Sequence, residues 1–339
     1  MWFILLYITH YQNIETTMKY FNFLLLLVLT IGNTTAQENQ LLLKKERINM
    51  QRFSKHSKLT EEVNGKRIWK DIYKSIDDVE LYAIQYLSDS LKVNGFLMKP
   101  KKQGKYPCII FNRGGNREYS KASGPLLLHI FASIVSKGYI VIASQYRGNG
   151  GGEGKEEFGG KDVNDVVILP KILEEVQGAD TNRIGMYGWS RGSMMTYIAL
   201  TKTNKIKAVV VGGGPSDLTI MNRPKFEKGV YAELIPNYWK NKKEELAKRS
   251  AIKWVDKFPK NVPILMLHGS SDWRAKPEHS LNLALQFEKH KIPYRLIVFE
   301  GGDHGLTKHN DEVNEQVLKW FNRYLKNNEK LPNVEYHGY

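Results

Sequence analysis

The chain has 339 residues, 42% of them hydrophobic and 11% aromatic, which is enough for one large core and points to one catalytic domain with an extension. Its net charge of +15 comes from lysines scattered over the whole length rather than gathered in a block, so a solvated basic surface is expected and no nucleic-acid partner. A single cysteine excludes an intrachain disulfide, and with no zinc-type Cys and His spacing, no phosphate-binding Gly-x-x-x-x-Gly-Lys and no repeat period, no metal or organic cofactor is implied.

Taken in order, the chain opens with a leader whose logic begins at Met18. Lys19 is the positive end, Phe21 to Ile31 the apolar core, and Thr34-Thr35-Ala36 the small residues before a cleavage point. Residues 1–17 lack that pattern, which places the true start at Met18; the alternative is a longer uncleaved anchor. The apolar core is too short to span a bilayer, and no cysteine follows it to carry a lipid. We therefore expect export, to the periplasm or the medium, with no stable membrane anchor after cleavage. Residues 37–78 form a polar, lysine-rich extension in which Leu41, Leu42, Leu43, Ile48, Met50 and Phe53 suit a short amphipathic helix, on a docking segment or flexible arm.

The catalytic domain is placed at 79–339. Val79 to Leu87 and Val93 to Met98 read as a hairpin, and Tyr106 to Phe111, with Cys108 as a buried unreactive thiol, as an interior strand ending in Asn112-Arg113-Gly114-Gly115-Asn116. From there helices and strands alternate. Leu126 to Ser136 is a helix, Tyr139 to Ala143 a strand, Val163 to Val176 a helix broken or kinked at Pro170, and Arg183 to Tyr187 a strand. Lys207 to Val211 is the next strand, and an irregular stretch runs on to Asn261. The strand Pro263 to His268, a helix from Pro277 to His290, the strand Tyr294 to Phe299 and a helix from Glu312 to Leu325 complete an open, mostly parallel sheet of eight strands flanked by helices.

Gly188-Trp189-Ser190-Arg191-Gly192 stands between a strand and a helix, the setting of a nucleophile elbow, where a sharp turn holds the serine hydroxyl clear of the sheet. In such a sheet the reactive groups belong on loops at the carboxyl ends of strands. Asp272 follows one such strand and His304 another, in the chain order Ser, acid, His. A neutral imidazole would take the serine proton and return it to the leaving group, and the carboxylate would fix the tautomer. Asp217 is the alternative acid. Asp303 reads as a turn closer, and His268, His279, His290 and His309 as strand-end, helix-surface or loop residues. The oxyanion would be held by the backbone N–H of Arg191 and by a donor from the 112–116 loop, for which Gly115 is the candidate.

Together these motifs resemble the catalytic domain of the prolyl oligopeptidase family of serine peptidases, over about Val79 to Leu325. The likeness is carried by Arg113-Gly114-Gly115, by Tyr146-Arg147-Gly148-Asn149-Gly150-Gly151-Gly152-Glu153-Gly154 with Phe158-Gly159-Gly160, by the serine pentapeptide, by His268-Gly269-Ser270-Ser271-Asp272 and by Gly302-Asp303-His304-Gly305. It implies an α/β-hydrolase fold and Ser190, Asp272 and His304 as the triad. Arg147 reads as a substrate contact or as a buried ion pair with Asp162 or Asp165. Arg113, Trp189 and Tyr231, with Tyr238 and Trp239, are candidate substrate contacts. Two departures matter. Only residues 37–78 stand where many members carry a propeller, so neither its size filter nor an acidic anchor for a peptide amine is expected. Arg113 also replaces the tyrosine or histidine common beside the glycine pair, which puts peptide-bond cleavage in doubt. The expected substrate is a short peptide, the alternative an ester, and the alternative from another class is a non-catalytic binding protein.

Overall fold

Val79 to Phe299 alternates apolar β-formers with amphipathic stretches, and in the computed structural model, which describes residues 40–338, it builds eight strands of a nine-stranded sheet whose order is β1-β4-β5-β7-β6-β8-β9-β10-β11. The strands are β1 (Leu42–Arg47), β4 (Val79–Ser88), β5 (Leu91–Pro100), β6 (Tyr106–Asn112), β7 (Ile140–Ser144), β8 (Ala179–Trp189), β9 (Ile206–Gly212), β10 (Ile264–Gly269) and β11 (Tyr294–Phe299). β1, β4, β5 and β7 pair antiparallel, and the remaining ladders are parallel. A separate small hairpin joins β2 (Thr60–Val63) to β3 (Lys66–Trp69). Strands β6, β7 and β9 read as near-continuous apolar runs because helices cover both faces of the sheet. Cys108 on β6 is fully buried, and burial pushes its thiol pKa up to about 12.

The helices are α1 (Gly124–Ser136), α2 (Asn164–Val167), α3 (Leu169–Glu174), α4 (Arg191–Leu200), α5 (Tyr238–Lys248), α6 (Glu278–Lys289) and α7 (Asn310–Phe321); all but α5 lie where the sequence predicts a helix, and α5 corrects the expectation of an irregular stretch up to Asn261. Ser123 caps α1 and Pro125 sits in its first turn, where a missing N–H costs nothing. The break expected at Pro170 falls at Ile168, between α2 and α3, which leaves Pro170 in the first turn of α3, where its missing N–H costs nothing. Helix α4 is buried on every side, and its polar members Arg191, Ser193 and Thr196 are all hydrogen-bonded.

Two expectations are corrected. The sheet has nine strands rather than eight, because the extension supplies β1 instead of an amphipathic helix. Only Leu42 of that strand is buried, so a helix there would have had no apolar stripe to seat, whereas the free edge of β4 accepts backbone pairing from Tyr82 to Tyr86. The carboxylate of Glu175 also accepts the N–H groups of Leu41 and Leu42, at 2.8 and 3.0 Å. Further along, Leu59, Tyr73 and Ile76 are buried, so 41–78 is an integral layer of the domain rather than a flexible arm. The leader expected over residues 18–36 lies outside the described residues.

Candidate active site

Ser190 stands between the end of β8 and the start of α4 with φ +56° and ψ −124°, a conformation that costs energy for any residue with a side chain and persists only where the surroundings impose it. The surroundings do so through glycine. A methyl group on Gly192 would collide with the backbone oxygen of Asn112, and one on Gly188 with that of Gly192, so the helix could not close on the strand. Ser190 N–H donates to the carbonyl of Gly212 at 2.8 Å, and the hydroxyl of Ser193 lies 3.1 and 3.0 Å from the carbonyls of Gly188 and Gly212. The turn is thus pinned to β9 from both sides.

The structure brings the sequence-predicted trio together. Ser190 Oγ is 2.9 Å from His304 Nε2, and His304 Nδ1 is 2.7 Å from Asp272 Oδ2. The other oxygen of Asp272 accepts the N–H groups of Arg274 and Ala275, at 2.8 and 3.1 Å, which fixes the carboxylate in a tight turn after β10. Burial alone would raise the Asp272 pKa. Hydrogen bonds from His268 and His304 outweigh it and hold the carboxyl well below its usual range. Asp217 is not in this group: it caps its own turn, accepting from Thr219 N–H at 2.9 Å, with Lys253 at 3.6 Å. Asp303 closes the turn before Thr307, as expected.

A cavity of about 500 Å³ opens over Ser190, in the range of sites that enclose small ligands. Phe111, Leu126, Ile130, Phe158, Phe226 and Tyr231 give it apolar walls. Trp189 lines it too, and its indole N–H donates to the backbone oxygen of His304 at 3.0 Å, tying the elbow to the histidine loop. Tyr231 is buried, with Phe158 and Phe226 edge-on at 5.2 and 5.3 Å. Tyr238 and Trp239 do not line this cavity. Tyr238 is buried and donates to Glu227, and Trp239 is exposed.

Arg113 lines the cavity, and its guanidinium serves as a clasp on the loop. It is 1% exposed, and its guanidinium donates to the carbonyls of Gly114, Arg117, Tyr119 and Gln145, so its donors are spent on holding the loop. Gly115, with φ +68°, accepts from Arg191 Nη1 at 3.1 Å; a side chain there would collide with the backbone oxygen of Tyr119. Arg147 takes the ion-pair alternative with Asp165, at 2.7 Å, and also reaches Asp89 at 2.8 Å. Asp162 belongs instead to a three-residue cluster that the sequence does not reveal: Arg191 lies 2.5 Å from both Glu156 and Asp162, all three buried. The guanidinium carbons of Arg113 and Arg191 lie 5.1 and 5.0 Å from the centroid of the Tyr146 ring. His268 is near the end of its strand, as expected, and its contact with the acid is the part the sequence reading lacks. It sits fully buried behind Asp272, with Nε2 at 2.7 Å from the carbonyl of Ala275 and 3.4 Å from Asp272 Oδ2. The four-residue spacing of His268 and Asp272 was the available signal.

Comparison with known proteins gives this geometry its setting. A model of the prolyl oligopeptidase family matches residues 127–328, more than half of the chain. The chain belongs to the prolyl oligopeptidase family. As a member it is a serine hydrolase of the peptidase type, with the α/β-hydrolase fold. It is similar to the uncharacterized peptidase YtmA of Bacillus subtilis, at 29% identity over 71% of this chain and 93% of that one. The uncharacterized peptidase YuxL of the same organism is 27% identical over 71% of this chain but only 39% of its own length. Among solved family structures, the acylaminoacyl peptidase of Pyrococcus horikoshii superposes with a TM-score of 0.64 and 23% identity, over 81% of this chain and 47% of that one. The chain thus spans nearly all of one curated relative and less than half of these longer family members.

Proposed function

We propose that the protein hydrolyses short peptides through an acyl-enzyme on Ser190. The observation that carries this reading is the relay from Ser190 Oγ to His304 Nε2 at 2.9 Å and from His304 Nδ1 to Asp272 at 2.7 Å, beneath a cavity walled by apolar side chains. In this reading His304 takes the hydroxyl proton as Ser190 attacks the carbonyl, and Asp272 stabilises the imidazolium. The N–H of Arg191 opens α4, where no helical carbonyl reaches it, and with the N–H of Gly115 it would hold the oxyanion. Collapse of the adduct passes the proton from His304 to the leaving amine, and water repeats the cycle on the acyl group. The test is labelling by a fluorophosphonate probe. The tag should map to Ser190 and vanish in Ser190→Ala and His304→Ala, and a folded but unlabelled protein would favour a binding role.

A second reading, carboxylester hydrolysis by the same residues, draws support from Arg113. Its guanidinium is committed to backbone carbonyls, which leaves the oxyanion to backbone donors, and an ester needs less help than an amide to expel its leaving group. Pairing each p-nitrophenyl ester with its p-nitroanilide separates the two; negligible anilide turnover beside rapid ester turnover would sink the peptidase reading. Export is a further part of the proposal, resting on the leader pattern of residues 18–36. Sequencing the N-terminus of the protein recovered outside the cytoplasm should find a start near Gln37.

A further inference from the structure

Charges around the cavity over Ser190 fall into two sets. Deep in the site the protein itself occupies the cations: Arg191 is in contact with both Glu156 and Asp162, and Arg113 donates to four backbone carbonyls. At the rim they are mostly free. Arg223 and Arg274 line the cavity, yet among the described residues neither has a carboxylate within ion-pair distance, and no Asp or Glu lines the cavity. Both guanidiniums are held in place by other means. Arg223 lies over the rings of Phe226 and Trp273, at 4.6 and 5.3 Å, and donates to the carbonyl of Arg274 at 3.5 Å. Arg274 packs on Trp273 at 5.5 Å and reaches the hydroxyl of Tyr119 at 3.3 Å. Two cations stacked on aromatic faces keep most of their N–H donors free, and a guanidinium fork matches a carboxylate.

Resting on the hydrolase reading above, we propose that this rim selects substrates carrying a carboxylate, whose negative charge Arg223 and Arg274 receive, over substrates presenting a free amine. A peptide amine would enter a cavity that offers it two positive charges and no acceptor carboxylate. A substrate carboxylate would complete the ion pairs that the protein leaves open.

The test uses one short peptide in four forms: neutral at both ends (acetyl and amide), cationic (free amine and amide), and anionic at either end (succinyl and amide, or acetyl and free acid). Binding is read by tryptophan fluorescence of the full-length Ser190→Ala protein, and turnover of the same peptides by the wild type is read separately, so that lost hydrolysis and lost charge preference are distinct results. We expect at least one anionic form to bind about ten-fold more tightly than the neutral form, the amine form to bind most weakly, and the preference to fall as salt rises. Arg223→Gln with Arg274→Gln should bring the anionic-to-neutral ratio close to one, and Arg223→Lys with Arg274→Lys should retain most of it. If neither anionic form binds more tightly than the neutral one, or if the preference survives both Arg→Gln changes, the proposal is overturned.

Discussion

At the scale of single residues, the site depends on groups that hold other groups. Asp272 meets His304 with one oxygen and two backbone N–H groups with the other, so Asp272→Asn should leave the turn folded while offering the imidazole the wrong partner. Turnover is expected to fall by about 10⁴-fold, read as kcat on the best ester or anilide. The same substitution has a stability signature. A carboxylate whose folded pKa is depressed adds stability above its unfolded value of about 3.9 and loses it as pH falls through the lower folded value. Urea unfolding should therefore show a shallower acid limb below about pH 4 in Asp272→Asn than in the wild type. Arg191 is the other such residue. Burial alone would raise the Glu156 pKa, and the guanidinium outweighs it, holding the carboxyl below its ordinary value. Arg191→Met would leave Glu156 and Asp162 buried without their ion-pair partner. A loss of roughly 3–5 kcal/mol in urea unfolding is expected. The triad was legible in the sequence because each member follows a strand that its own apolar run announces. The Arg191 cluster was not, since Asp162 is nearer in sequence to Arg147 than Asp165 is, and only the packing of the glycine-rich loop on α4 assigns it to Arg191.

At the scale of elements, the parallel strands and most helices could be read directly, because buried strands are continuous apolar runs and helices carry their caps in sequence. The extension could not. Its apolar residues from Leu41 to Phe53 suit a helix, yet the free edge of β4 offers β1 a ladder of backbone partners that no local pattern reveals. Helices α2 and α3 contribute indirectly, because Glu175, just past α3, secures the first residues of that edge strand. Glu175→Ala should speed amide exchange across Leu42–Arg47 while lowering global stability by less than about 1 kcal/mol, since one partly exposed carboxylate is removed and no core contact.

At the scale of the whole molecule, apolar layers cover both faces of the sheet, and the extension belongs to one of them through Leu59, Tyr73 and Ile76. Removing residues 1–78 would bare those contacts and the edge of β4 together. Such a truncation should aggregate, whereas one that begins at Gln40 should stay folded and soluble, as size-exclusion chromatography of the two proteins would show. The sole cysteine has a practical consequence. Sealed within β6, with a pKa near 12, Cys108 presents almost no thiolate to solvent at neutral pH. Towards maleimides and alkylating reagents the folded protein is therefore a blank background. A cysteine introduced at the exposed rim position Tyr119 would be its one reactive handle, ready to carry a dye that reports what enters the cavity.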